Sequence, residues 1–480
     1  MFQTVQIPVW LLVLILVFAG VTFASHFLFP SVRWFFRKRL ERAVKRLNTR
    51  LERPIEAFKL TRRQDLIQRL IYDPEIAHAI QEHAREEGVR EDVAFEMVQR
   101  YAREIVPSFS ASLYFGTAVR FARWLSRALY RVRLGYVDED ALKQMDPTAT
   151  VVFVMNHRSN MDYVLVTYLA ASRSALSYAV GEWARVWPLK QLIRTMGAYF
   201  IRRRSRNQLY RRVLARYVQM ATDAGVTQAV FPEGGLTRDG LLKPAKLGLL
   251  NYIVSGFDPE AERDVLFVPV GLNYDRVLED RVLLAAHRGE KTGFFFKGWV
   301  FLHFLGRHIW LRIIRRFYRF GYASVSFGTP VSLKAYLAKN RQSNHERTTA
   351  ELGRELMRQV GQVVPVLPVS LISTVLLEQG DERLSLSAVQ TLVREELDRL
   401  TTAGAYMHIP RRNLDYAIEV GLRMLILRRA LSQDGEDYVV KPAQGELLQY
   451  YANAIAHLRG DWGRKVLPDP ALTGSVPENS

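Results

Sequence analysis

Four short apolar runs, each bounded by turn-forming residues, constrain the fold of this chain more than any other feature. They lie at residues 151–155, 228–231, 265–270 and 323–327, and segments with helical periodicity separate them. Strands that alternate with helices in this way are typical of an α/β domain, in which helices cover a central sheet. The sequence therefore predicts an α/β domain over residues 136–332.

Helical periodicity extends on both sides of this domain. Apolar residues recur at three- and four-residue intervals, which predicts helical regions at 33–135 and 333–466. The last residues, 467–480, contain three prolines and are predicted to be disordered.

The first 32 residues carry no Asp, Glu, Lys or Arg, and the apolar run 7–29 is long enough to cross a hydrocarbon core of roughly 30 Å. A cleaved signal peptide would begin with basic residues and have a shorter apolar core. We therefore expect a transmembrane anchor at 1–32. Basic residues follow from Arg33 onward, which predicts a single-pass membrane protein with a cytoplasmic catalytic domain, in the inner membrane if the source is bacterial.

The formal net charge of +19 indicates an anionic partner, and the charge is unevenly distributed. Lys and Arg concentrate in three basic patches, at 31–60, 183–222 and 291–322. The patch at 183–222 contains ten basic residues and no acidic one, so we expect it to bind phosphate rather than to form ion pairs. Nucleic acid, an anionic membrane and a phosphorylated or CoA-like substrate all fit the charge alone.

The first apolar run leads into a polar loop that contains His157 and then Asp162. In a regular helix two residues five positions apart point about 140° away from each other, so only a turn could pair these side chains. Asn160 is a plausible N-cap, which would leave His157 in a loop at the carboxyl end of the strand and Asp162 in the first helical turn. Open α/β sheets bind their ligands at this edge.

An imidazole held by a carboxylate can take a proton from a hydroxyl near neutral pH. The chain has no cysteine and no G-x-S-x-G turn, so the hydroxyl would belong to a substrate. The alternative is a loop histidine with a structural role. A second loop, after the run 228–231, adds Glu233, two glycines and Arg238, which suit an anion because glycine amides and a guanidinium can surround a phosphate.

Four blocks, Asn156-His-x-x-x-x-Asp, Gly197-x-x-Phe-Ile-x-Arg, Phe231-Pro-Glu-Gly-Gly and Val268-Pro-Val, follow one another in this order. In order and spacing they resemble the glycerolipid acyltransferase superfamily. The flanking segments 101–106 and 364–377 are similar to its glycerol-3-phosphate acyltransferase branch.

This resemblance implies that His157 is the general base and that Asp162 orients it. It also implies that Pro269 lies on the acyl side of the site. The glycerol phosphate would be bound by Arg203, Glu233, Gly234, Gly235, Arg238 and Lys246. One departure weakens the acceptor assignment: where the family has two arginines flanking a serine, this chain has Leu236, Thr237 and Arg238.

The expected protein is thus a membrane-bound O-acyltransferase with a central mixed sheet, which makes lysophosphatidic acid from glycerol 3-phosphate. The acyl donor would be acyl-CoA or acyl carrier protein, the other partner an anionic membrane lipid, and no metal or cofactor is needed. An already acylated acceptor, giving phosphatidic acid, is the alternative. A membrane-tethered nucleic-acid-binding protein is a remote alternative, because the chain shows no RRM, KH or zinc-finger signature and we expect no nucleic-acid partner.

Overall fold

The structure is a computed structural model that describes residues 8–171, 174–181, 189–202, 205, 207–290, 306, 310, 319–340, 345–380, 382–407, 409–410 and 413–459. The chain divides into two compact units, Met1–Pro54 and Ile55–Ser480. The predicted disordered segment 467–480 and most of the third basic patch lie outside the described residues, and the predicted domain boundaries stay predictions.

The first unit contains one helix, Val9–Asn48, which continues without a break to the basic residues Lys45 and Arg46 in its last turn. Within the ranges given above, no helix combines the length and the apolar character that a bilayer crossing requires. The transmembrane helix expected within residues 1–32 is therefore not confirmed.

The second unit begins with helices whose ends follow from the sequence. In the helix Pro74–Glu87, the Asp73 side chain accepts a hydrogen bond from the Glu75 N–H, and Gly88 closes the helix in the left-handed conformation with φ of 64°. The helices that precede the sheet are Ala57–Leu60, Arg63–Ile71, Pro74–Glu87, Glu91–Ile105, Ala111–Leu113 and Val119–Leu129, with a π-helical turn at Tyr114–Ala118.

One sheet of eight strands forms the centre of this unit. The strands are β1 Arg131–Val137, β2 Thr150–Met155, β3 Ser177–Val180, β4 Tyr199–Phe200, β5 Gln228–Val230, β6 Val265–Tyr274, β7 Tyr322–Phe327 and β8 Val331–Ser332. Their order is β1-β7-β6-β2-β5-β3-β4, with β8 also paired to β6. Strand β2 is parallel to both β5 and β6, whereas β7 is antiparallel to β6 and parallel to β1. The predicted α/β fold with a central mixed sheet is confirmed.

Helices cover both faces of the sheet, as the continuous apolar run of β2 requires. Its residues Val151, Phe153 and Met155 belong to a core shared with C-terminal helices, whereas Val152 and Val154 belong to a second core shared with the N-terminal helices. Helices that alternate with the strands are Glu139–Lys143, Met161–Ala170, Leu189–Thr195, Gln208–Asp223, Gly248–Ser255 and Asp280–His287.

The C-terminal region is mainly helical, with a small antiparallel sheet. Its helices are Leu333–Lys339, His345–Val363, Pro368–Gln379, Leu386–Thr402, Leu414–Leu427 and Gly445–Ala452. Its sheet has the order β10-β11-β9, with β9 Leu384–Ser385, β10 Leu431–Asp434 and β11 Asp437–Val440. The periodicity of the sequence predicts the helices but not these three short strands.

Candidate active site

The site lies where three parallel strands end. Because β2 pairs in parallel with β5 on one side and β6 on the other, the carboxyl ends of all three meet at one edge of the sheet. The polar loop after β2 is therefore placed between the loops that follow β5 and β6. The topology explains how residues far apart in sequence come together.

His157 and Asp162 form a buried pair at this edge. The Nδ1 of His157 lies 2.9 Å from Asp162 Oδ2, and that oxygen also accepts hydrogen bonds from the backbone N–H groups of Arg158, at 2.7 Å, and Ser159, at 3.0 Å. Asp162 Oδ1 accepts a bond of 2.6 Å from the Tyr274 hydroxyl. A carboxylate held in this way assigns the imidazole proton to Nδ1 and leaves Nε2 as the basic nitrogen.

Hydrogen bonds hold both ends of the turn that pairs His157 with Asp162. Asn156 continues the pairing of β2 with β6, because its side chain donates to the Leu272 carbonyl at 2.9 Å and accepts from the Leu272 N–H at 2.8 Å. Asn160 precedes the helix Met161–Ala170 as expected, but its side chain does not cap that helix and donates to Glu279 at 3.0 Å instead.

Glu279, which the sequence patterns did not single out, anchors the outer half of the loop. It accepts hydrogen bonds from the Ser159 hydroxyl at 2.7 Å and from the backbone N–H of Asn160 at 3.2 Å. Burial raises the pKa of Glu279 to about 7, although these hydrogen bonds oppose the shift. In the sequence, only its position shortly after the run that forms β6 could have indicated a role for Glu279, since β6 ends beside β2.

Aromatic rings enclose the His157 imidazole. Phe231 stacks on it, with ring centroids 4.1 Å apart and an interplanar angle of 29°, and Tyr163 meets it edge-on at 5.4 Å. Apolar walls of this kind exclude water, so electrostatic interactions within the site are stronger than in solution.

Glu233 joins the loop after β5 to the histidine. Its Oε1 accepts a 2.9 Å hydrogen bond from the backbone N–H of His157, and the His157 carbonyl accepts one of 3.0 Å from the Thr237 N–H. Oε2 is buried, with no hydrogen-bond partner among the described residues. Burial raises the pKa of Glu233 to about 8. A buried oxygen of this kind suits a ligand that donates a hydrogen bond.

A groove of about 560 Å³ opens next to Phe231, between the end of β5 and the helices Gln208–Asp223 and Gly248–Ser255. Its lining combines apolar side chains with cations, among them Val154, Ala179, Val230, Leu214, Leu250, Arg202, Arg211 and Lys246. A ligand with an apolar chain and an anionic group matches this combination.

The predicted phosphate ligands are only partly brought together. Gly234 and Lys246 both line the groove, and a β-carbon at Gly234 would lie 2.6 Å from Lys246 Cδ. Gly235 follows Gly234 in the loop. Arg238 is exposed, and its guanidinium donates a 3.4 Å hydrogen bond to the Ala286 carbonyl. Arg203 lies outside the described residues.

The second basic patch differs from the prediction, because acidic residues from the N-terminal helices neutralise part of it. Arg202 donates two hydrogen bonds, of 2.9 and 2.6 Å, to the Glu104 carboxylate. Arg212 forms an ion pair of 2.6 Å with Glu82. The expectation that residues 183–222 would lack acidic partners was wrong, since the pairing residues are far away in sequence and only the fold brings them together.

Pro269, the predicted acyl-side residue, lies inside β6. It is aligned with Val154 of β2, and its carbonyl accepts a 2.8 Å hydrogen bond from the Gly328 N–H. The N–H and C=O of one strand residue point to the same neighbouring strand, so the missing N–H faces Gly328. There β7 has ended and β8 has not begun, and the proline costs no bond of the sheet. Its role on the acyl side stays a prediction.

The C-terminal region contacts the site through Arg158, which the sequence patterns also missed. This arginine is 2% exposed, and its Nη1 and Nη2 donate 2.9 Å hydrogen bonds to the carbonyls of Gly240 and Ala454.

Over the described ranges, no group of three or more His, Asp or Glu side chains could hold a metal ion.

Two family models of known proteins match this chain. A family model described as Acyltransferase matches residues 136–273, and one described as Glycerol-3-phosphate acyltransferase C-terminal region matches residues 310–459. Together these matches cover more than half of the chain.

Curated relatives carry the same description. A glycerol-3-phosphate acyltransferase of Pseudomonas putida is 28% identical over 344 residues, which are 66% of this chain and 39% of the relative. One of Shewanella woodyi is 29% identical over 338 residues, with 66% and 40% covered. The chain thus spans about two fifths of the length of the curated relatives it matches. The crystal structure of a 1-acyl-sn-glycerophosphate acyltransferase from Thermotoga maritima is 19% identical, covers 52% of this chain and 78% of its own, and gives a TM-score of 0.30, at which it adds no argument.

Proposed function

Because the chain belongs to the glycerolipid acyltransferase superfamily, we propose that it transfers an acyl chain to a hydroxyl of glycerol 3-phosphate and so forms lysophosphatidic acid. The donor would be acyl-CoA or acyl carrier protein. The observation that carries the proposal is the buried pair of His157 and Asp162 at the carboxyl end of β2, next to a groove with cationic and apolar walls.

In the proposed reaction, Nε2 of His157 takes the proton of the acceptor hydroxyl while the hydroxyl oxygen attacks the thioester carbonyl carbon. The new C–O bond forms, the C–S bond breaks, and the leaving thiolate receives the proton from the imidazolium. Asp162 stabilises that imidazolium through the 2.9 Å contact with Nδ1. The protein supplies no covalent intermediate in this scheme.

The acceptor would bind between the loops after β2 and β5. The Oε2 of Glu233 is buried and could accept a hydrogen bond from a second glycerol hydroxyl. Lys246 at the groove would contact the phosphate as a point charge. Gly234 leaves room for the Lys246 side chain, because a β-carbon at position 234 would clash with it. Apolar groove residues such as Leu214 and Leu250 would contact the acyl chain.

We also infer that the protein works at an anionic membrane surface. Helix Val119–Leu129 exposes Phe121 and Trp124, which are 45% and 44% accessible, with ring centroids 5.8 Å apart and ring planes tilted by 32°. Arg120, Arg123 and Arg127 are exposed on the same helix, which has no acidic residue. Aromatic and cationic side chains in this combination favour the interface of a bilayer with anionic lipids.

The proposed reaction is tested by incubating membranes that contain the protein with acyl-CoA or acyl carrier protein and one labelled acceptor, glycerol 3-phosphate or lysophosphatidate. We expect labelled lysophosphatidate from glycerol 3-phosphate. Product from lysophosphatidate alone would show that the acceptor is the acylated one.

His157→Ala should abolish turnover because it removes the base. A matched control is His78→Ala, since His78 is an exposed histidine on the helix Pro74–Glu87 and forms an ion pair of 3.7 Å with Glu82. Equal activity of both variants would show that His157 is a structural residue. Retention on anionic vesicles, compared with neutral vesicles, tests the membrane proposal separately.

A further inference from the structure

The helix Gly445–Ala452 and the turn after it lie against both loops of the candidate active site. Arg158 in the first loop donates to the carbonyl of Ala454, 296 residues away in sequence. The Asn453 side chain donates a 2.8 Å hydrogen bond to the carbonyl of Asp239 in the second loop. Two side chains thus tie the loop at 156–160 (the catalytic loop) and the loop at 231–247 (the phosphate-side loop) to the segment 450–454.

The contact between this segment and the loop after β5 is close. Gly240 has a φ of 84°, and a β-carbon there would lie 2.0 Å from the Tyr450 carbonyl oxygen, so this loop and the helix meet backbone to backbone. Tyr450 and Tyr451 are buried, and the Tyr451 hydroxyl donates a 2.7 Å bond to Asp280.

Arg158 is the residue through which this contact can act on the histidine. Its guanidinium reaches Gly240 and Ala454, while its own backbone N–H donates to Asp162 Oδ2, the oxygen that contacts His157 Nδ1. The Arg158 side chain therefore binds two main-chain carbonyls, while the Arg158 backbone N–H binds the carboxylate of the pair His157 and Asp162.

We propose that the segment 450–454 is a positioning element of the active site, which acts through Arg158 to hold the catalytic loop in its reactive conformation. This inference rests on the proposed catalytic role of His157. Arg158 is a positioning residue rather than a catalytic one, because both guanidinium contacts are with the protein's own backbone.

Loss of this contact should change the rate of reaction rather than substrate affinity. A displacement of about 1 Å in a catalytic group can lower the rate on the order of a hundredfold. For Arg158→Met in the full chain we expect kcat to fall at least about tenfold, with KM for glycerol 3-phosphate and for the acyl donor within about twofold. Arg158→Lys, which keeps the charge and can reach one carbonyl, should recover part of the loss.

A second measurement is independent of acyl transfer. Hydrogen exchange followed by mass spectrometry should show faster exchange of the amides at 157–159 in Arg158→Met and in Asn453→Ala, over and above any change shared by the whole protein. The matched control is Arg383→Met, because Arg383 lies in the same C-terminal region but forms an exposed ion pair of 2.9 Å with Asp434.

Each outcome decides the question. Unchanged exchange in either Asn453→Ala or Arg158→Met, or a loss of kcat in Arg383→Met equal to theirs, would overturn the proposal. If Arg158→Met does not fold, Asn453→Ala carries the same test, because it removes a tie from the segment while leaving the arginine in place. Faster loop exchange in a protein that transfers no acyl chain would support the positioning contact and refute the proposed function alone.

Discussion

Replacing Glu233 by Gln should stabilise the protein at alkaline pH while it impairs turnover. The glutamine keeps a carbonyl oxygen for the 2.9 Å hydrogen bond from the His157 N–H, so the loop retains its anchor. It removes a carboxyl group that is 4% exposed and whose second oxygen has no hydrogen-bond partner among the described residues. A charge in that position is costly because burial removes its hydration.

The magnitude follows from the raised pKa. The pKa of Glu233 is about 8 in the folded protein against 4.5 in the unfolded chain, so between these values the folded state binds more protons. The free energy of unfolding of the wild type therefore falls as pH rises through this window, by about 1.4 kcal/mol per pH unit. The whole shift from 4.5 to about 8 corresponds to about 5 kcal/mol.

The assay is denaturant unfolding of the wild type and Glu233→Gln at pH values from about 5 to about 9, with the difference in unfolding free energy plotted against pH. Since all other groups are common to both proteins, the difference isolates this carboxyl. It should rise in favour of the variant up to about pH 8 and then level off. A difference that stays constant across the range would refute the reasoning. Acyl transfer should be low in the variant at every pH, because Oε2 is the oxygen proposed to bind the acceptor.

Three further predictions concern other contacts of the site. Tyr274→Phe removes the 2.6 Å bond to Asp162 and should lower both kcat and the free energy of unfolding, the latter by about 2 kcal/mol, as measured by turnover and denaturation. Glu279→Gln should show the same pH-dependent stabilisation as the change at Glu233, but levelling off near pH 7, because burial raises the pKa of Glu279 to about 7. Lys246→Ala should raise KM for glycerol 3-phosphate more than Arg238→Ala does, because Lys246 lines the groove whereas Arg238 contacts Ala286; the reverse order would contradict the proposed phosphate position.

The sequence was informative wherever the chemistry is local. The five-residue spacing of His157 and Asp162 excluded a common helical face, and the structure pairs them through a turn at 2.9 Å. The apolar runs predicted the α/β class and strands β2, β5, β6 and β7, because buried strands of several residues leave a clear pattern. Strand β4, with two residues, is too short to leave one.

Contacts across long sequence separations could not be predicted in the same way. Tyr274 and Glu279 reach the catalytic loop because β6 lies beside β2, and strand order is a property of the whole fold. The pairing of Arg202 with Glu104 depends on which helix covers the sheet, and a count of charges within one patch cannot show it. The hydrogen bond from Arg158 to the Ala454 carbonyl joins residues that are 296 positions apart, so no local pattern could indicate it.

That separation has a consequence for how the protein is made. The catalytic loop emerges from the ribosome about 300 residues before its partner at Ala454. Strand β1 likewise emerges about 190 residues before β7, the strand with which it pairs. Closing such long loops is slow, and at about 5–20 residues per second the intervening synthesis takes tens of seconds. During that time the apolar residues of the growing sheet lack part of their cover. We therefore expect nascent chains to need chaperone or membrane contacts, and acyl transfer to appear only once the segment 450–454 has docked.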